Sequence, residues 1–139
     1  MIYHEERLDG VHPVLAEFIR KALSRLRLSV YWPDWLILCG FRNQADQHAA
    51  FLAGTSNVDW PNGKHNRMDV DGNPCSWAVD ISPYPYDAGK DEKRLYLIAG
   101  FLLCLAQELG VKLRLGADWD GDLQTLDQHL KDPWHIELA

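Results

Sequence analysis

The sequence has few cysteines, no long apolar segment and no excess of basic residues, and each absence argues against a class of protein. The three cysteines, Cys39, Cys75 and Cys104, are widely spaced without a CxxC pair, unlike a disulfide framework or a thiolate zinc site. No apolar run approaches the roughly 18 residues of a membrane span, and the N-terminus MIYHEERLDG lacks the apolar part of a secretory signal. The net charge of −6 argues against binding to nucleic acid or to an anionic membrane. We therefore expect no nucleic-acid partner, no stable membrane association, and synthesis and folding in a cytoplasm.

The composition is that of a folded globular protein. The chain has 139 residues, of which 47% are hydrophobic and 24% charged, and it contains no repeat or long linker. We expect a single domain over residues 1–139 and a monomer. Cys39 and Cys104 lie inside apolar runs and are predicted to be small core residues.

Hydrophobic periodicity predicts interleaved helices and strands. Helices are expected over 12–27, 44–53 and 91–109, the second between an Asn43 cap and Gly54, the third between an Asp91 cap and Gly110. Strands are expected over 35–41, 77–81, 111–115 and 134–138. These elements are too few for a doubly wound sheet, so the fold class is α+β. In the strand over 77–81, alternation places Asp80 on the face opposite to Val79 and Ile81.

Three residues form a candidate metal site. His65 ends a long polar loop, Asp80 lies on the strand after it, and His135 lies on the last strand. Two histidines, one carboxylate and an open fourth position are typical of catalytic zinc, whereas a structural zinc site has four protein ligands. The composition of this set suggests one zinc ion per chain, but its spacing alone does not. Taken singly, each histidine is better interpreted as a surface or hydrogen-bonded residue.

Ordered blocks of sequence resemble a known family. They are LDGVHPVLAEFIRKAL, LILCGFRNQADQ, GKHN followed by AVDISPYP, and KLRLGADWD followed by DPWHIEL. Together they resemble the phage-type zinc peptidases of peptidoglycan, the L-alanyl-D-glutamate endopeptidase endolysins, relatives of the D-alanyl-D-alanine carboxypeptidases. The resemblance implies an antiparallel sheet packed against helices, of the carboxypeptidase and Hedgehog-like type, with His65, Asp80 and His135 holding zinc.

The resemblance also implies roles for residues around the metal. Asp132, three residues before His135, corresponds to the general base, and Glu137 is the rival base on strand geometry alone. Arg42 would face a developing oxyanion or a substrate carboxylate. Gln47 is a weaker candidate for substrate binding that could instead anchor its helix. Four tryptophans could line a substrate groove, although core packing is expected for at least half of them: Trp60, Trp77, Trp119 and Trp134. Of these we select Trp134 to contact substrate.

The chain departs from the family pattern in two places. Gly63 stands where the family has a serine, so a hydroxyl near the substrate is missing or comes from Ser56 or Ser76. The segment NRMDVDGNPCSW lengthens the loop between His65 and Asp80 without removing a ligand.

Two acidic clusters resemble calcium loops but do not match the EF-hand pattern. They are Asp69-Val70-Asp71-Gly72-Asn73 and Asp118-Trp119-Asp120-Gly121-Asp122. Solvated turns are the better interpretation, and the second cluster is the stronger candidate for Ca²⁺.

The leading hypothesis is a zinc-dependent peptidoglycan endopeptidase that cuts the stem peptide between L-Ala and D-Glu. The alternatives are a D-Ala-D-Ala carboxypeptidase or dipeptidase, and a catalytically silent wall-binding module. We expect such an enzyme to accumulate in the host cytoplasm and to reach the cell wall only after the membrane is permeabilised.

Overall fold

A computed structural model describes residues 1–27, 34–87 and 89–139. Within these residues the chain forms five strands and three α-helices. The strands are β1 (Ile2–Tyr3), β2 (Asp34–Cys39), β3 (Ala78–Tyr84), β4 (Leu113–Leu115) and β5 (His135–Leu138). The α-helices are α1 (Pro13–Arg27), α2 (Gln44–Leu52) and α3 (Glu92–Leu109), and short 3-10 helices span Glu5–Gly10 and Lys64–Asn66. The predicted elements are all found, with ends that differ by at most three residues.

The strands form one mixed sheet in the order β1-β2-β3-β5-β4. Neighbouring strands from β2 to β4 are antiparallel, but β1 is parallel to β2 and pairs Ile2 with Trp35. The predicted antiparallel sheet is therefore wrong at this edge. A strand of two residues has no alternating pattern from which it could be predicted.

The helix ends follow the predicted capping residues with one exception. Asn43 accepts a hydrogen bond from the backbone N–H of Asp46, and Gly54 and Gly110 have the left-handed φ values of 77° and 69°. Asp91 precedes α3, but its carboxylate accepts hydrogen bonds from Arg94 and from the N–H of Asp87 and caps no N–H of the helix. No helix in the described ranges is both long enough and apolar enough to cross a membrane.

The hydrophobic core lies between one face of the sheet and helices α1 and α3. Its central members are Leu15, Ile19 and Leu23 of α1, Leu95, Ile98 and Leu102 of α3, and Ile37, Val79, Ile81 and Ile136 of the sheet. The predicted core position of Cys104 is wrong, because its side chain is exposed. Two residues after Leu102, a helix has turned by about 200°, which carries the side chain away from the core. Cys39 is half-buried.

Candidate metal centre and active site

Three adjacent strands present side chains on the face of the sheet opposite to the core. In the register of the sheet, Asp80 of β3 is paired with Cys39 of β2 and with His135 of β5. Paired residues on neighbouring strands point to the same face and lie side by side. Because Val79 and Ile81 point into the core, Asp80 points away from it, as the alternation predicts.

His65 reaches this row of side chains from the polar loop. It lies in the 3-10 helix Lys64–Asn66, and its carbonyl accepts a hydrogen bond of 2.9 Å from the N–H of Arg42. The N–H of Trp77 donates to the carbonyl of Lys64 at 2.9 Å, which joins this helix to the residue before β3. His65 is thus held between the end of β2 and the start of β3.

The lengthened loop between His65 and Asp80 folds back on itself. Met68 and Pro74 form an isolated antiparallel bridge, and the N–H of Asp69 donates to the carbonyl of Asn73 at 2.9 Å. Gly72 takes the left-handed φ of 81° that this turn requires. The extra residues form a surface turn and do not separate His65 from Asp80.

Two histidines and Asp80 bring three ligand atoms together. His65 Nε2 lies 3.3 Å from Asp80 Oδ1 and 3.3 Å from His135 Nδ1, and His135 Nδ1 lies 2.9 Å from Asp80 Oδ1. A tetrahedral zinc ion with bonds of about 2.0–2.1 Å separates its ligand atoms by about 3.3 Å. The spacing of the three atoms therefore fits a single metal ion.

The other nitrogen of each histidine ring has a partner of its own. His65 Nδ1 donates to the carbonyl of Gly40 at 2.7 Å, and His135 Nε2 donates to Glu137 Oε2 at 2.9 Å. With the proton held on the outer nitrogen, the lone pair of the inner nitrogen is directed towards the cluster. Such outer hydrogen bonds orient metal-binding histidines and raise their basicity.

The electrostatics of the cluster are dominated by Asp80. Burial opposes the charged form of His65, but the charge and hydrogen bond of Asp80 outweigh it and raise the pKa of His65 to about 10. Burial is likewise outweighed at His135, where hydrogen bonds to Asp80 and Glu137 raise the pKa to about 9. Burial would raise the pKa of Asp80, but the two histidines lower it below its usual range. A buried carboxylate between two imidazoles attracts positive charge, either protons or a metal cation.

Asp132 lies beside this cluster, in the turn that precedes β5. The N–H of His135 donates to the carbonyl of Asp132 at 3.2 Å, and Asp132 Oδ2 lies 3.9 Å from His135 Nδ1. Among the residues that the structure describes, Asp132 Oδ1 is buried and has no hydrogen-bond partner. Burial and the negative charge of Asp80 raise the pKa of Asp132 to about 6. A carboxylate with an open oxygen and a pKa near neutrality is suited to accept a proton.

Glu137, the rival base, is engaged on the outer side of the His135 ring. Its Oε2 accepts from His135 Nε2, and its Oε1 accepts from Arg114 Nε at 2.8 Å. Its burial is outweighed by these partners, so its pKa is lowered. Both Glu137 oxygens are therefore engaged, whereas Asp132 keeps one oxygen without a partner among the described residues.

Arg42 and Gln47, both selected from the sequence, occupy different positions relative to the cluster. Arg42 Nη2 lies 3.6 Å from Asp80 Oδ2, and Arg42 Nη1 donates to Gln47 Oε1 at 3.2 Å. Gln47 is 1% exposed, and its amide nitrogen donates to Ser56 Oγ and to the carbonyl of Val58. The structure does not support substrate binding by Gln47, because both ends of its amide already contact protein atoms. Gln47 instead positions Arg42 and the loop after α2.

The tryptophan selected from the sequence, Trp134, lies on the core side of the sheet. Trp134 packs against the hydrophobic core, because alternation on entering β5 places it opposite to His135. Trp119, another of the four tryptophans considered from the sequence, has its ring centroid 5.1 Å from that of His135. Trp119 follows β4 in an irregular segment, where no periodic pattern indicates the direction of a side chain.

The structure explains why a glycine stands at position 63. A Cβ added at this glycine would lie 2.7 Å from Asn66 Oδ1, which accepts a hydrogen bond from the N–H of Gly63. The two serines considered as substitutes are engaged elsewhere: Ser56 with Val58 and Gln47, and Ser76 with the carbonyl of Ala78. A side chain at position 63 would displace Asn66, the neighbour of His65.

The two acidic clusters are turns with internal hydrogen bonds. Asp69 Oδ1 accepts from the N–H groups of Asp71 and Asn73. Asp118 accepts from the N–H groups of Gly121, Asp122 and Leu123. Asp118, Asp120 and Asp122 do bring carboxylate oxygens within 4.8 Å of one another, and binding of Ca²⁺ there remains a prediction.

Two sets of side chains that could hold a metal ion share Asp80. One comprises Cys39, His65 and Asp80, and the other Asp80, Asp132 and His135. Cys39 Sγ lies 3.7 Å from His65 Nδ1, which is the nitrogen turned away from the cluster. Cys39 therefore borders the outer side of the His65 ring.

Comparison with known proteins shows the family of this chain. The model of the phage L-alanyl-D-glutamate peptidase family matches residues 3–139. The chain belongs to this family. It is 32% identical over 143 residues to the L-alanyl-D-glutamate peptidase of Escherichia phage T5, across 97% of this chain and 93% of that protein. The fold is similar to the Serratia marcescens L-Ala D-Glu endopeptidase ChiX, with a TM-score of 0.69 and 26% identity over 100% of this chain and 90% of ChiX. The α+β fold expected from the sequence is thus confirmed, and so is the resemblance to this peptidase family.

Proposed function

We propose that the protein is a zinc-dependent peptidoglycan endopeptidase that cleaves the stem peptide between L-Ala and D-Glu. The family and its relatives support peptidase activity on this bond. The observation that carries the proposal is the contact of His65 Nε2, Asp80 Oδ1 and His135 Nδ1 at 2.9–3.3 Å, with both histidines oriented from outside. Asp132 beside these ligands argues against a silent wall-binding module, because such a module has no need of a base.

The chemistry of the donor set suits zinc. Two imidazole nitrogens and one carboxylate oxygen leave a fourth tetrahedral position open, as in catalytic sites. Zinc bound there would supply Lewis acidity towards the scissile carbonyl and would make a neighbouring water more acidic. Asp80, buried between the imidazoles, supplies the negative charge that favours a cation at this position.

Asp132 is proposed to move the proton. Its Oδ2 lies 3.9 Å from His135 Nδ1, and its Oδ1 has no hydrogen-bond partner among the described residues, so this carboxylate would accept a proton from the attacking water. The same carboxyl group would then donate that proton to the departing amine of D-Glu. Pro133 and the hydrogen bond from the N–H of His135 hold this carboxylate at a fixed position relative to the histidine.

Arg42 is proposed to stabilise negative charge on the substrate. Its guanidinium is 21% exposed, is held by Gln47, and borders a groove of about 430 Å³. The groove is also lined by Glu6, Arg7, Leu38, Phe41, Asp46 and Pro74. An extended peptide in this groove would bring either its developing oxyanion or the carboxylate of D-Glu to Arg42.

The test is digestion of defined muropeptides, with the products identified by mass spectrometry. We expect products with a new D-Glu N-terminus, loss of activity after removal of metal by a chelator, and recovery with Zn²⁺. Release of D-Ala alone would indicate a carboxypeptidase. No cleavage by metal-loaded protein would indicate a silent wall-binding module.

Access to the substrate is part of the proposal. A monomer with a net charge of −6 has no electrostatic attraction to an anionic membrane. The protein would therefore act on peptidoglycan from the host cytoplasm only after the membrane has been permeabilised.

A further inference from the structure

The outer side of the His135 ring is enclosed by three side chains that the proposed reaction does not use. We call Arg114, Trp119 and Glu137 the His135 clamp. Glu137 Oε2 accepts from His135 Nε2 at 2.9 Å, and Glu137 Oε1 accepts from Arg114 Nε at 2.8 Å. The guanidinium of Arg114 lies 5.2 Å from the centroid of the Trp119 ring, which is itself 5.1 Å from the His135 ring.

Within the clamp, a hydrogen bond from Arg114 fixes the orientation of the Glu137 carboxylate. The side chain of Glu137 is 4% exposed, so its charge depends on protein partners for compensation. Because Arg114 Nε–H holds Oε1, the carboxylate cannot rotate freely, and Oε2 stays directed at His135 Nε2. Arg114 and Glu137 are paired in neighbouring strands β4 and β5, which sets the approach of the guanidinium.

The aromatic contact links Arg114 to the same histidine by a second route. Trp119 Nε1–H donates to the carbonyl of Leu130 at 2.9 Å, and its backbone N–H donates to Gln128 Oε1 at 2.8 Å. These bonds fix the indole ring between Arg114 and His135. A planar guanidinium can stack on an indole face while its Nε–H points sideways to a carboxylate, which a lysine ammonium cannot do.

We propose that Arg114 is a positioning residue of the metal centre. Through Glu137 and Trp119 it holds His135 with the proton on Nε2 and the Nδ1 lone pair directed towards the metal. The inference rests on the proposed function in one respect, namely that His65, Asp80 and His135 bind a metal ion. It concerns metal affinity, so it is tested without peptidoglycan.

The experiment compares zinc affinity by competition with a chromophoric chelator. Loss of an outer partner of a metal-binding histidine weakens metal affinity by about 10–100-fold, and we expect this range for Arg114→Gln. Arg114→Lys retains the charge but not the planar donor, so its affinity should remain well below that of the unmodified chain. The matched control is Arg25→Gln, because Arg25 is a similarly exposed arginine with a single carboxylate partner, Glu108, at 3.1 Å. The control should leave zinc affinity unchanged.

A double variant tests whether Arg114 acts through its carboxylate partner. If it does, Arg114→Gln should have little further effect on zinc affinity in a Glu137→Gln background, because the effects of residues in one network are not additive. The melting temperature of each metal-free variant shows whether it has folded. If Arg114→Gln fails to fold, Trp119→Leu replaces it and should also weaken zinc binding.

Three results would overturn the inference. They are unchanged zinc affinity in Arg114→Gln, full recovery in Arg114→Lys, and full additivity in the double variant. Absence of zinc binding by the unmodified chain would instead contradict the proposed function, which separates the two failures.

Discussion

Adding a single methyl group at Gly116, as in Gly116→Ala, should strongly disturb the geometry of the site. Gly116 is buried between β4 and the turn before β5, and its N–H donates to the carbonyl of His135 at 2.9 Å. A Cβ added here would lie 1.9 Å from the carbonyl oxygen of Asp132 and 3.0 Å from His135 Cβ. Since real Cβ contacts below 3.0 Å essentially do not occur, the Asp132 carbonyl would have to move by at least about 1.1 Å, the difference between 3.0 and 1.9 Å.

This displacement acts on the proposed base and on a proposed ligand at once. A misplacement of about 1 Å can reduce turnover by about 100-fold, which is about 2.7 kcal/mol of activation free energy at 1.36 kcal/mol per factor of ten. We expect Gly116→Ala to lower kcat/KM for muropeptide cleavage by this amount. Overpacking at a buried position should also lower the free energy of unfolding by about 1–3 kcal/mol.

The control for this variant is Gly100→Ala. Gly100 lies on the exposed side of α3, and a Cβ there meets no heavy atom of the described residues within 4 Å. Replacing a helical glycine by alanine stabilises by about 0.5–1 kcal/mol, so this variant should be fully active and slightly more stable. The measurements are the rate of muropeptide hydrolysis and the midpoint of urea unfolding. If Gly116→Ala cleaves at the rate of the unmodified chain, the argument that backbone contact positions Asp132 and His135 is refuted.

Four further predictions concern the metal, the proposed base and access to the cell wall. His135→Ala should reduce bound zinc strongly in metal analysis, and an unchanged stoichiometry would exclude this site. Asp132→Asn should retain zinc but lower turnover by about 100-fold or more, whereas full activity would transfer the role of base to Glu137. In metal-free protein the pKa values of His65 and His135 are raised to about 10 and about 9, so zinc must displace protons at neutral pH. Calorimetry in buffers of different ionisation enthalpy should detect this proton release near pH 7.5. Zero proton release would contradict the prediction. Added protein should hydrolyse isolated walls but lyse cells only after membrane permeabilisation, and rapid lysis of untreated cells would contradict the charge argument.

The pKa shifts of the histidines also have a consequence for stability without metal. Both folded-state pKa values lie above the unfolded value of about 6.5. The contribution of these groups is therefore fully present below about pH 6.5 and is lost as pH rises towards 9–10. Metal binding reverses the trend, because zinc competes best where the histidines are neutral.

Local features of the chain were predictable where they depend on a capping residue or on the regular spacing of side chains in a helix or strand. Asn43 caps α2 and Gly110 ends α3 because these effects depend on a few neighbouring residues. The direction of Asp80 follows from the alternation of a strand whose other residues enter the core. The error at Cys104 had a signal that was available, since its helical phase relative to Leu102 places it outside the core.

The side-chain partners of the site residues were not predictable, because no local pattern indicates which side chains meet. Gln47 lies five residues after Arg42, and only the structure shows that both ends of its amide are occupied. Trp134 and Trp119 are the same residue type, so the sequence does not distinguish them. In the structure Trp134 packs against the core, and the ring of Trp119 lies against His135.

The sequence by itself determined the order of helices and strands, the chemical identity of His65, Asp80 and His135, and the resemblance that relates them to a peptidase. These properties depend on residue type and local spacing. Only the tertiary structure decided that Asp80 and His135 are paired across two strands, that Glu137 and Gly40 hold the outer histidine nitrogens, and that Gly116 must lack a side chain. Apart from the contact between His135 and Glu137, which are two residues apart on β5, these are contacts between segments far apart in sequence. Strand register and backbone approach of this kind arise only when the chain packs.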